Sequence, residues 1–113
     1  VAQQKTTVVI NLNTSGGQTI VSAVTTPGNE IIRVLAYHLT FGGTVTAKFQ
    51  SHALPTDLTG PLQGVAGSQA ISPPVHTSEG RMAPLFETLP GEALDLNLSG
   101  NVQVSGWLIY EVP

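Results

Sequence analysis

The chain has 113 residues, with four basic and seven acidic side chains, three histidines and no cysteine. That length suits one domain with a single core. The absence of cysteine excludes disulfides, thiolate catalysis and cysteine-ligated zinc or iron–sulfur sites. The four basic residues, Lys5, Arg33, Lys48 and Arg81, are scattered along the chain, so they make no electrostatic footprint for DNA or RNA.

Charged residues are 10% of the chain, against roughly a quarter in an ordinary soluble domain. Thr, Ser, Asn, Gln and Gly take the outward positions instead. Such a surface keeps monomers apart poorly and suits one covered by neighbouring copies, so composition points to an oligomer or a lattice component. No apolar run approaches the roughly 20 residues that cross a bilayer, which argues against membrane insertion.

In chain order, Val1 to Lys5 form a polar flexible arm without an apolar targeting core, and residues 6–113 form one domain. Thr6 to Leu12 (TTVVINL) is β-branched and reads as a strand, followed by a turn at Asn13-Thr14-Ser15-Gly16-Gly17. Thr19 to Val24 is a second strand, closed by Thr26-Pro27-Gly28-Asn29. The segment Glu30 to Phe41 fits both helical and strand spacing; β-branched content and the Gly42-Gly43 stop favour a strand. Strand parity there places Ile31, Arg33, Leu35, Tyr37, Leu39 and Phe41 on one face. Val45 to Gln50 alternates again, and with Gly42-Gly43 before it Leu39 to Gln50 reads as a tight hairpin.

Ser51 to Ala83 is irregular and rich in Pro and Gly, with short edge strands expected at Leu58 to Leu62 and Gln69 to Ser72. It is too apolar for disorder and too broken for a helix, so it lies over an edge of the sandwich or reaches a neighbouring subunit. Met82 to Glu87 opens a C-terminal unit. From Glu92 to Leu98 the period of two sets Leu94, Leu96 and Leu98 on one face, with Asp95 and Asn97 on the other. After Gly100-Asn101, Val102, Val104, Gly106, Leu108 and Tyr110 share one parity, and the two runs read as a long hairpin. Seven or eight short strands without a helix indicate an all-β chain, an antiparallel β-sandwich, with jelly-roll topology the most economical winding.

Reaction chemistry finds little support. His38, His52 and His76 lack the spacing that sets two ligands on one face, although His52 and His76 both lie in the irregular region and could meet in space. Glu87 could approach Glu92 across Pro90-Gly91, but a glycosidase pair must face across a cleft. Calcium through Asp57, Glu92 or Asp95 lacks a dense run of oxygen ligands. There is no Gly-x-Ser-x-Gly elbow and no phosphate loop. Trp107, the only tryptophan, shares a parity with Ser105 and Ile109 and reads as a buried or interface anchor.

Four strings carry a resemblance: Val45 to Ser51 (VTAKFQS), Asp57 to Leu62 (DLTGPL), Phe86 to Ser99 and Val104 to Tyr110 (VSGWLIY). Together they resemble small β-sandwich accessory proteins of tailed bacteriophages, the capsid decoration and head-fibre proteins. The resemblance covers Val34 to Val112, with Phe86 to Tyr110 its specific part. It implies a jelly-roll-like homotrimer on a virion surface, made in the host cytoplasm and bound to the major capsid protein or another virion protein. It implies no catalytic residue, no cofactor and no metal. Phe86, Trp107 and Tyr110 are its packing or contact groups, and Lys5 with the arm before it could thread along a partner. The alternative is a carbohydrate- or receptor-binding module of a viral particle, supported by Trp107, Tyr37 and Tyr110, with a host glycan as ligand.

Overall fold

The computed structural model of the chain describes residues 5–25, 28–53, 55–72 and 83–112. Among these residues every regular element is a strand. They are β1 (Lys5–Leu12), β2 (Gly16–Val21), β3 (Arg33–Phe41), β4 (Val45–Ser51), β5 (Thr56–Asp57), β6 (Leu62–Gly64), β7 (Gln69–Ile71), β8 (Phe86–Glu87), β9 (Leu94–Leu98) and β10 (Val104–Glu111). The count exceeds the expected seven or eight because four of the ten have only two or three residues. No helix among the described residues is long and apolar enough to cross a membrane.

Two antiparallel sheets form a sandwich. One runs β1-β10-β3-β7, with β8 also on β3; the other runs β2-β9-β4-β5, with β6 also on β4. The winding is nested: β1 lies beside β10, β2 beside β9, β3 beside β7 and β8, and β4 beside β5 and β6. Between the sheets lies the core, with Ile10, Leu39, Phe41, Phe49, Leu96 and Leu108 at most 1% exposed.

Both expected hairpins are corrected. β3 and β4 belong to different sheets, and so do β9 and β10. The physical reason is burial. Leu94, Leu96 and Leu98 line one side of the core, and Val104 and Leu108 line the other. Paired side by side in one sheet, these runs would point the same way and still need cover; in opposite sheets they cover each other. The connections that carry the chain across meet at one end of the sandwich. There Gly42 N donates to Gln103 O at 2.8 Å and Ser15 N donates to Asn101 Oδ1 at 2.8 Å.

The segment from Glu30 to Phe41 does contain a strand, but strict parity fails within it. The β10–β3 register shifts between Ile109 and Tyr110, opposite Ala36 and Val34, which leaves Leu35 as an extra residue on β3. This bulge resets the alternation. Leu39 and Phe41 point into the core on one side of it, Val34 and Ile32 on the other, and Arg33 turns outward to Glu87. In the irregular region the edge strands form at Thr56–Asp57 and Leu62–Gly64 rather than across Leu58 to Leu62. Residues 73–82, including His76, fall outside the described residues.

Candidate functional site

The outer face of the β2-β9-β4 sheet gathers most of the polar chemistry. Asp95 stands between Thr19 of β2 and Gln50 of β4 in the strand register. Its Oδ1 accepts from Thr19 Oγ1 at 2.8 Å, and its Oδ2 lies 2.7 Å from His52 Nδ1. With 5% of its surface exposed, Asp95 is buried under these neighbours, although it lies on the face away from the leucines. The carboxylate raises the His52 pKa above the ordinary histidine value, first through the hydrogen bond, then through its charge, with Glu92 adding a smaller push.

Beside this pair, Gln50 Nε2 donates to Asp57 Oδ1 at 2.7 Å and Lys48 Nζ lies 3.2 Å from Asp57 Oδ2. Both contacts hold the Asp57 pKa below its usual value, the Gln50 hydrogen bond most. Glu92 Oε1 accepts from Ser51 Oγ at 2.6 Å and from the Ala53 N–H at 3.0 Å. Glu87 pairs with Arg33 at 3.1 Å, so Glu87 and Glu92 are held by different partners. Among the described residues no three His, Asp or Glu side chains converge as metal ligands. A His–Asp pair is present, yet the adjacent Ser51 is fully buried and tied to Glu92, so its hydroxyl is not offered to the imidazole as a nucleophile.

The outer face of the β1-β10-β3-β7 sheet is different. One cross-strand row joins Val9, Trp107, His38 and Ile71, each in register with the next. Val9 is 77% exposed, Ile71 59% and Trp107 37%, so the row is the largest gathering of exposed apolar side chains in the described molecule. The rings of His38 and Trp107 meet edge to face at 5.9 Å. Nε2 of His38 is buried and has no hydrogen-bond partner among the described residues. At one end of the same face a charge row runs Lys5, Glu111, Arg33, Glu87, again in register.

The four contact residues named from sequence divide between the two sides of this sheet. Trp107 lies outward in the middle of the apolar row, and Lys5 opens β1 at the charged end. Phe86 and Tyr110 pack inward against the core, Phe86 with its ring 5.2 Å from Phe49 and 6.4 Å from Tyr37.

With this geometry in hand, comparison with solved structures gives two chains of related shape. One belongs to the disulfide-linked pili of Bacillus endospore appendages, with a TM-score of 0.51 and 13% identity over 97% of this chain and 85% of that one. The other belongs to the capsid asymmetric unit of cyanophage Pam1, with a TM-score of 0.47 and 10% identity over 98% and 85%. The first likeness shows the fold. The chain matches no family model and no curated protein.

Sequence reasoning missed Val9, His38 and Ile71 as members of a common surface. The signal for Val9 was present: it occupies the outward parity of β1 between Thr7 and Asn11, where a polar residue is usual. Ile71 gave no such signal, because a three-residue strand is too short to show a period.

Proposed function

We propose that this chain is a noncatalytic structural protein of a virus particle, decorating or stabilising a phage capsid through oligomeric surface contacts. The observation that carries the reading is the exposed row Val9, Trp107, His38 and Ile71 on a surface otherwise poor in apolar side chains. Exposed apolar groups gathered in one place mark contact surfaces. Covering an exposed Val or Ile side chain contributes about 1.5–3 kcal/mol, and a symmetric assembly repeats that gain at every copy. In this reading Trp107 is the central contact, while Phe86 and Tyr110 hold β8 and β10 from inside.

Other features support the same reading. The nested pairing of β1 with β10 and β2 with β9 supports a jelly-roll reading of the sandwich, a fold that virus shells use. Phe86 to Tyr110 resembles the phage accessory proteins, for which three copies on the virion surface beside the major capsid protein are the expectation. The spore-appendage chain of similar shape also comes from an assembled structure, one linked by disulfides. Without cysteine, this chain would rely on noncovalent contacts. The four residues before Lys5, which lie outside the described residues, supply the proposed arm that follows a partner, while Lys5 itself pairs with Glu111 in β1.

Immunogold labelling of virions purified from cells that make the chain tests the proposal, with sedimentation of the purified protein to read copy number. Regular labelling of intact shells, lost in Trp107→Ala, is the expected result. Label confined to free protein overturns it, and binding of Trp107-dependent kind on a glycan array instead would favour the receptor-binding alternative.

A further inference from the structure

We infer that the free edge of β1 joins two copies of this chain, β1 of one pairing antiparallel with β1 of the other about a twofold axis. This deepens the structural reading above by naming a self-contact. An edge strand presents a row of unused backbone donors and acceptors, and natural sheets blunt such edges by shortness, bulges, charge or proline. Three of the four edges here are blunted. The β7 and β8 edge consists of three- and two-residue strands, and the β5 and β6 edge of two- and three-residue strands. β2 opens on Gly16-Gly17 and carries a register shift between Thr19 and Val21.

β1 has none of these devices within its span. It runs eight residues in unbroken register with β10, contains no proline, and has a single charge, Lys5, at its first position. Among the described residues its other edge pairs with no strand. None of the three blunted edges offers a regular partner of matching length, whereas a second β1 does.

Pairing centred on Val9 also satisfies the side chains. Val9, 77% exposed, then meets its own counterpart, and Thr7 faces Asn11 of the partner subunit. Lys5 falls opposite Asn13 of the partner subunit, so no like charges confront each other; parallel pairing would set lysine beside lysine. The row from Ile71 through His38 and Trp107 to Val9 continues across the axis into the same row of the second copy. A twofold contact closes on itself. It therefore doubles whatever copy number the rest of the surface assembles.

The natural absence of cysteine supplies the experiment, because any disulfide-linked dimer must come from an introduced thiol. Directly opposed Cβ atoms in an antiparallel pair lie about 4.5–5.5 Å apart, close to disulfide reach. Val9→Cys is expected to cross-link under mild oxidation roughly hundredfold faster than Val65→Cys, a comparably exposed position between β6 and β7. Thr7→Cys and Asn11→Cys should each stay uncrosslinked alone and cross-link when mixed, which reads the register. Val9→Lys should halve the sedimenting mass and unfold in urea at the midpoint that the wild type shows when diluted to the monomer. Cross-linking of Val9→Cys no faster than Val65→Cys, or equal mass for wild type and Val9→Lys, overturns the inference. Shells that label without β1 cross-linking overturn this contact alone; cross-linking without shell labelling supports it and overturns the virion reading.

Discussion

Replacing Gly106 by alanine tests how the apolar row is held. Gly106 lies opposite Leu39 on β3, next to the Trp107–His38 pair. A Cβ there would sit 1.8 Å from the His38 carbonyl oxygen and 2.8 Å from its carbon, and φ is +150°, a value L side chains rarely adopt. A carbon and a carbonyl oxygen approach favourably at about 3.3–3.6 Å, so the overlap is about 1.5 Å. The two strands must part locally, and the alanine still carries the unfavourable φ. Losing two ladder bonds costs about 1 kcal/mol each, and a strained backbone position about 1–3 kcal/mol. The expected loss is thus about 3–5 kcal/mol, a large share of the roughly 5–15 kcal/mol that holds an ordinary domain. Trp107, the only tryptophan, reports unfolding from the neighbouring position. With a urea slope of about 1–3 kcal/mol/M, the midpoint should fall by roughly 2 M. A shift below about 0.5 M would refute the claim that close approach of β3 and β10 requires glycine here.

Three further outcomes follow from the same contacts. Leu96→Ala, at a fully buried core position, should cost about 2–5 kcal/mol in urea unfolding, whereas Trp107→Ala should leave stability within about 1 kcal/mol while abolishing shell labelling. Asp95 holds the His52 pKa above the unfolded value near 6.5. The fold therefore favours the imidazolium, and that stabilisation is complete below the unfolded pKa and disappears as pH rises through the folded one. NMR titration of the His52 ring should give a midpoint above the ordinary value, and urea midpoints should fall over that interval. Asp95→Asn should return the ring to ordinary behaviour and flatten the dependence; an unchanged titration would dissociate His52 from Asp95.

The sandwich itself was legible in the residues, because alternation is a local property. Leu94, Leu96 and Leu98 had to share a face whatever lay opposite, and the Gly and Pro clusters had to interrupt the strands. Sheet membership was not legible. Gly42-Gly43 and Gly100-Asn101 reverse the chain in a hairpin and in a crossing between sheets alike, and only mutual burial of the two apolar faces selects the crossing. Arg33 shows the same limit within one strand. The bulge at Leu35 depends on the β10 partner, and it moves Arg33 from the apolar side to Glu87.

For the candidate site, residue types and their outward or inward parity came from the chain, and their companions came from the fold. Asp95 was readable as a residue opposite the leucines, but its burial under Thr19 and His52 required strands far apart in sequence to meet. The parity that Trp107 shares with Ser105 was readable, yet Val9, His38 and Ile71 join it only through three strand registers. Periodicity along a strand is set by the backbone of that strand alone; which strands lie side by side is set by the free energy of burying all their apolar faces at once. The first determines what kind of surface each strand can show, and the second decides which surface the molecule has.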